Sequence, residues 1–296
     1  MLVVIALGGN ALLGLGEPKH ADAQRRNVAV AARAIAAVAR EHTVVVTHGN
    51  GPQVGLAAKQ SESDHAIPPN PLDMPKAESE GMIGYLLEQA LENEMPGRKI
   101  ASLVTEVIVR LVPVGPRYAD TDDGRRFAAE LGWMVAQDGN GFRQCVPSPE
   151  PQRIVQLKTI NTLIEAGVLV ICVCGEGIAI TEAELGLREV EVTIDTDLAA
   201  ALVAEQVGAD LLMLLTEVER VEVDWRTGEA LPLGGATTVD ALRRISFAPG
   251  LKGPKVEAAC RFVESTGKRA AIGALAQAPE ILRGDRGVQV TAPRIS

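Results

Sequence analysis

Leu2 to Leu7 is aliphatic at every position and stops abruptly at Gly8-Gly9-Asn10. A strand with one wet face alternates apolar and polar residues, so an unbroken run marks a strand covered on both faces, as in a parallel sheet between helical layers. Similar runs occur at Thr43 to Thr47, Ile100 to Arg110, Val168 to Val173, Leu211 to Leu215 and Ala270 to Leu275. Helical patterns lie between them, over Asp22 to Arg40, Ala77 to Asn93, Leu157 to Glu165, Leu198 to Val207 (led into by Glu191 to Ile194), Val239 to Ile245 and Pro254 to Ser265. This alternation predicts an α/β fold: a three-layer α/β/α sandwich on a mainly parallel central sheet. Val221 to Trp225 and Glu229 to Leu231 flank Arg226-Thr227-Gly228 and predict a hairpin.

Length alone allows one large domain or two smaller ones, and the repeated βα rhythm leads us to read residues 1–296 as one domain. Two stretches interrupt its rhythm. Ser61 to Pro75 carries four prolines, and residues 111–151 mix prolines, glycines and acids with Tyr118, Phe127, Trp133 and Phe142. Aromatic and apolar residues give the second stretch something to fold around, so it is expected to form a small protruding arm.

Apolar residues make up 47% of the chain and aromatics only 3%, a composition suited to helices layered on a sheet. The net charge of -9 argues against nucleic acid or an anionic membrane as partner, so an anionic substrate needs a local positive site. Cys145, Cys172, Cys174 and Cys260 form no CxxC pair and no zinc-type spacing with histidine, so they read as reduced thiols, and no metal ligand is assigned. The apolar start lacks a basic flank and no run is long enough to span a bilayer, so a cytoplasmic location is expected.

Three glycine turns each follow an aliphatic strand: Gly8-Gly9-Asn10, Gly49-Asn50-Gly51 and Gly175-Glu176-Gly177. Ligands of open α/β sheets gather outside the carboxyl ends of the strands, and glycine there lets backbone N–H groups approach an anion. A helix opening just after each turn would add its positive dipole end. Any one such turn is equally a tight connection, but three of them, two carrying Asn, point to a site. There is no GK[ST] motif and no GxGxxG, so neither a P-loop nor a dinucleotide fingerprint is present. His48 is either a base or a hydrogen-bonded structural residue, and Cys172 and Cys174 read as packing groups.

Several segments together resemble the carbamate kinase branch of the amino acid kinase family. They are Ala6 to Ala11, Thr47 to Gly55, Gly81 to Tyr85, Val146 to Pro149, Thr159 to Ile164, Asp197 to Ala199, Phe247 to Gly250 and Gly253 to Ala258, in the same order and nearly end to end. The resemblance implies an amino acid kinase fold, a homodimer, ATP/ADP with Mg²⁺, and phosphoryl transfer between the nucleotide and a small acid, carbamate or its equivalent. It assigns catalysis to Asn10, Asp197 and Lys255, and substrate binding to Gly8, Gly9, Gly49, Asn50, Gly51, Gly175, Glu176 and Gly177. It places the nucleotide against Thr216, Val218, Val221, Gly253, Pro254 and Lys255, with Asp197 organising phosphate-binding lysines.

The chain departs from that pattern in three places. Asp195-Thr196-Asp197 stands where the family has Asp-Lys-Asp, Val112-Pro113 replaces a Lys-Pro in the arm, and Glu176 interrupts a glycine run. A lost charge-stabilising donor typically lowers a rate by about 10²- to 10³-fold. Lys252 and Arg117 are the expected sources of compensation. Alternatively Glu176 and Thr196 recognise an amine or amide on a different acceptor, or the protein binds nucleotide as a weak sensor. A transferase of another kind on a similar scaffold is the third alternative.

Overall fold

The computed structural model describes residues 1–13, 20–62, 70–110, 116–121, 135–138, 141–147, 149–175, 177–183, 186–216, 222–224, 229–230, 235–244 and 253–293. The side chains of Asn10, Lys59 and Glu62 and of residues 116–147 and 222–230 also lie outside the described set. The chain opens with β1 (Leu2–Leu7), α1 (Ala21–Ala39), β2 (Thr43–His48), α2 (Gly51–Glu62), α3 (Asp73–Glu94), β3 (Ile100–Ser102) and β4 (Glu106–Arg110). It continues through β5 (Pro116–Thr121), β6 (Val135–Asp138), β7 (Gly141–Pro147), β8 (Glu150–Ile154), α4 (Leu157–Glu165), β9 (Leu169–Ile171), β10 (Ile178–Ala183) and β11 (Gly186–Glu189). The last third holds α5 (Thr196–Gln206), β12 (Leu211–Thr216), β13 (Glu222–Asp224), β14 (Glu229–Ala230), β15 (Gly235–Thr238), α6 (Val239–Arg243), α7 (Gly253–Thr266), β16 (Arg269–Ala274), α8 (Ala278–Arg283) and β17 (Val288–Thr291).

Eight strands form the main sheet in the order β15-β17-β16-β12-β1-β2-β9-β3. All neighbours run parallel except β16 and β17. Within it, β1 lies between β12 and β2, with Ile5 opposite Met213 on one side and Val46 on the other. Because side chains alternate across a strand, Val4, Ala6, Val45, Leu212 and Leu214 face one core and Val3, Ile5, Leu7, Val44 and Met213 the other. The first core is closed by Ala199, Ala200 and Val203 of α5 and Phe262 of α7, the second by Ile35 of α1 and Ile83, Leu87 and Leu91 of α3. Helices therefore cover both faces, as the unbroken aliphatic runs require.

A smaller mixed sheet, β11-β10-β4-β8, accounts for one departure from expectation. The run Ile100 to Arg110 is two strands, not one: β3 closes an edge of the main sheet while β4 enters the small sheet. Leu103 to Thr105 makes the corner, where the Leu103 N–H donates to the Ile171 carbonyl and the Thr105 N–H to a Glu80 carboxylate oxygen. Ser102, Thr105 and Glu106 interrupt the run here, but aliphatic and β-branched residues flank them closely enough for the whole to read as one strand. Pro75 also lies inside α3 instead of in a loop, since the first helical turn needs no N–H from it. Of residues 111–151, three strands form an antiparallel sheet in the order β5-β7-β6, and β13 pairs antiparallel with β14 as the hairpin pattern predicts. No described helix is long and apolar enough to cross a membrane.

Candidate active site

The order β12-β1-β2-β9 sets four strand ends side by side. Thr216 ends β12, and the three glycine turns leave β1, β2 and β9. Strands that are remote in sequence thereby deliver their loops to one place, outside the carboxyl edge of the sheet.

The turns touch through their backbones. A Cβ on Gly49 would stand 2.6 Å from the Gly9 nitrogen, so the second loop cannot carry a side chain at this contact. The Gly8 N–H donates to the Leu215 carbonyl and the Gly49 N–H to the Leu7 carbonyl, both at 2.9 Å, which anchors the loops to the strands. Gly175, at φ +79°, meets the other side of the junction: a Cβ there would overlap the Asn50 carboxamide at 2.1 Å. The Gly175 N–H also donates to the His48 carbonyl.

Helix support differs among the loops. A short 3₁₀ turn, Gly9–Ala11, follows the first, and α2 opens at Gly51 directly after the second. After the third comes strand β10, contrary to the expectation of a helix, because Gly177 turns the chain into the small sheet against Val107. A helix N-terminus reaches this loop from elsewhere: Thr196 at the start of α5 donates its hydroxyl to the Gly175 carbonyl at 2.5 Å. Asp195 caps that helix, accepting from the N–H groups of Asp197 and Leu198 at 3.0 and 3.1 Å.

Lys255, near the start of α7, pairs with Asp197 at 2.5 Å, their side chains only 15% and 18% exposed. Burial raises the Asp197 carboxyl above its ordinary range; Lys255 draws it back and Asp195 adds to the rise. The pair joins the N-terminal ends of α5 and α7 one residue from the Thr196 link to the third loop. Lys255 thus holds a fixed cation where an anion can be met by its remaining N–H groups.

His48 is fully buried, with Nδ1 3.2 Å from the Gly49 carbonyl oxygen. Burial depresses it to about 4, against a small opposing effect of the Gly49 hydrogen bond, so it is neutral at pH 7 and poorly suited to take a proton. The thiols of Cys172 and Cys174 are pushed up by burial and further by Glu80, which keeps them protonated and inert.

Of the assigned residues, the structure brings together Gly8, Gly9, Gly49, Asn50, Gly51, Gly175, Gly177, Asp197 and Lys255, with Thr216 at the neighbouring strand end and Gly253 and Pro254 opening α7. Glu176, Val218, Val221 and Lys252 lie outside the described residues, as do the side chains of Asn10 and Arg117. Thr196 is engaged with Gly175, which leaves its oxygen only as an acceptor toward a substrate.

Sequence reasoning missed the polar contribution of α3. Asn50 Nδ2 donates to Ser79 Oγ at 2.7 Å, and Ser79 Oγ donates to the Lys76 carbonyl at 2.8 Å. Lys76, 4% exposed, donates from Nζ to the Val192 carbonyl at 2.7 Å. Glu80, 1% exposed, accepts from Thr105 N–H, and Thr105 Oγ1 accepts from Val173 N–H at 2.5 Å. Val173 is held at φ +48°, an unusual conformation for a β-branched residue, where the third loop leaves β9. The available signal was the spacing: Lys76, Ser79 and Glu80 continue, at three and four residues, the stripe of Ile83, Leu87 and Leu91.

Residues 1–274 match the amino acid kinase family. The chain belongs to that family. Within it, the chain is 46% identical to a carbamate kinase of Rhizobium meliloti (strain 1021), covering 99% of this chain and 94% of that protein. It is 41% identical to a carbamate kinase of Haemophilus influenzae (strain ATCC 51907 / DSM 11121 / KW20 / Rd), covering 98% and 97%. The fold superimposes with a TM-score of 0.87 on carbamate kinase from Giardia lamblia bound to AMP-PNP, at 34% identity over 99% of this chain and 98% of that one. The amino acid kinase fold expected from the sequence is the fold observed.

Proposed function

We propose that the protein is a carbamate kinase, catalysing ATP + carbamate ↔ ADP + carbamoyl phosphate. The observation that carries this reading is the buried Lys255–Asp197 pair beside three converging glycine loops. Near full-length similarity to carbamate kinases supports the choice of acceptor.

Phosphoryl transfer asks the protein mainly for alignment and charge stabilisation. In the ATP-forming direction a β-phosphate oxygen of ADP bonds to the phosphorus of carbamoyl phosphate, the bridging P–O bond breaks, and its electron pair leaves with carbamate. Asn50, fixed by Ser79 and Gly175, orients the acid, and loop amides at Gly9, Asn10 and Gly51 donate to its oxygens. The same reading assigns Glu176 to acceptor binding. Lys255 offsets charge on the transferred group while Asp197 holds its ammonium in place. Thr216, Val218, Val221, Gly253 and Pro254 line the nucleotide side, in keeping with the position of β12 and the start of α7 at the same sheet edge.

The donors at the loop junction are backbone N–H groups, the Asn50 amide and the Lys255 ammonium, a set that meets phosphate oxygens, so in this reading Mg²⁺ would be carried by the nucleotide phosphates. When bound, Mg²⁺ supplies charge neutralisation on those oxygens. The same reading makes residues 111–151 a protruding arm and the protein a homodimer. Exposed Met74, Met82 and Tyr85 on one face of α3 offer apolar surface for the second copy, and sedimentation as a monomer would remove that part.

The test is ATP formation from ADP, Mg²⁺ and carbamoyl phosphate by the purified protein, with Lys255→Ala as control. Turnover should fall about 10²- to 10³-fold in the variant. Bound ADP without turnover in the wild type would overturn the carbamate assignment in favour of another acid acceptor or a nucleotide sensor.

A further inference from the structure

Lys76 buries an ammonium in the first turns of α3. A lysine this enclosed is rare, because removing its charge from water costs several kcal/mol unless partners compensate. An aliphatic residue would continue the stripe below it at Ile83 and Leu87. What distinguishes the position is its reach. Its Nζ holds the Val192 carbonyl, in the segment that leads directly to Asp195, Thr196 and Asp197. Its carbonyl receives Ser79 Oγ, which in turn receives Asn50 Nδ2. Asn50 packs on Gly175, and Gly175 accepts from Thr196. Lys76 and Thr196 are thus joined both through the segment 192–196 and through Ser79, Asn50 and Gly175.

The charges at this junction make the same point. Glu80, Asp195 and Asp197 are acidic, Lys255 is already paired with Asp197, and position 196 is a neutral threonine whose hydroxyl is engaged. Beyond Lys255, Lys76 brings a second cation to the segment that leads into Asp195.

We propose that Lys76 is a positioning residue of the acceptor site, whose ammonium pins the segment before α5 and supplies the positive charge that position 196 lacks. The identity of the anion rests on the carbamate kinase reading, whereas the geometry does not. From α3, the charge acts on carbamoyl phosphate without lying on the nucleotide side, so its loss weakens one substrate selectively.

Three proteins test this: wild type, Lys76→Met, and the double variant Lys76→Met/Thr196→Lys. In Lys76→Met, kcat/KM for carbamoyl phosphate should fall about 10²-fold while KM for ADP stays within about twofold, the scale of one lost charge-stabilising donor. The double variant should recover most of the loss, because side chain 196 enters the same junction. Inorganic sulfate supplies a readout independent of turnover: the midpoint of thermal unfolding should rise with sulfate in the wild type and double variant and not in Lys76→Met. A wild type that binds sulfate in this pattern without making ATP would overturn the carbamate reading and leave the role of Lys76 standing. Equal loss for both substrates, no recovery in the double variant, or a sulfate shift that is the same in all three proteins or missing from the wild type would overturn it.

Discussion

Along α3, Ile83, Leu87 and Leu91 bury aliphatic side chains against the sheet, whereas nearer its N-terminus Lys76, Ser79 and Glu80 bury charge and hydroxyl against the loops. Both halves are equally enclosed, yet they do different work. The aliphatic half makes many small dispersion contacts and removes apolar surface from water, which stabilises the fold without regard to direction. The polar half makes a few directed bonds, to Asn50, Thr105 and Val192, and so sets where three loop segments lie. A helix anchored by its apolar end is a rigid support for a site at its polar end.

The largest effect should come from the apolar half. Leu87→Ala, at a fully buried position, should destabilise the protein by about 2–5 kcal/mol in urea unfolding, while kcat of the folded fraction stays unchanged. A variant of normal stability and impaired turnover would break the division between the halves.

At the loop junction, His48 predicts a pH dependence. Its proton is bound less readily in the folded chain, at about 4 against 6.5, so the unfolded state gains the proton first on acidification. Stability should therefore fall as pH drops from above 6.5 toward 4, with about 3 kcal/mol attributable to this group by linkage. Urea unfolding of wild type and His48→Gln at several pH values separates that contribution, and parallel profiles for the two proteins would refute it.

The smallest effect is expected at Ser79. Ser79→Ala leaves the buried Asn50 amide without its hydroxyl partner, worth about 1–3 kcal/mol. Thermal unfolding should show that loss together with a raised KM for carbamoyl phosphate. A stability change with an unaltered KM would mean that Ser79 serves packing alone.

Much of the site was legible beforehand for a local reason. Glycine after a buried strand, Asn beside it, and Gly-Pro-Lys at a helix start are patterns of adjacent residues, and they located the three turns and Lys255. Lys76 escaped because Pro68, Pro69, Pro71 and Pro75 made its surroundings read as a loop, although only the last lies in the first turn of α3. The corner at Leu103 to Thr105 escaped because aliphatic and β-branched residues resume on either side of it, which reads as a single strand.

The sequence by itself determined the layered α/β order, since unbroken aliphatic runs must be covered on both faces wherever they lie. It also singled out the glycine turns, Asn50 and Lys255 as groups whose donors suit an anion. Only the tertiary structure decided which of them meet. Leu7 pairs with Leu215 on one side and His48 on the other, and Thr196 reaches back to Gly175, so the site is assembled by strand order among distant segments. Local periodicity carries no information about that order, and a buried ammonium such as Lys76 meets the Val192 carbonyl only because the fold brings that segment to α3.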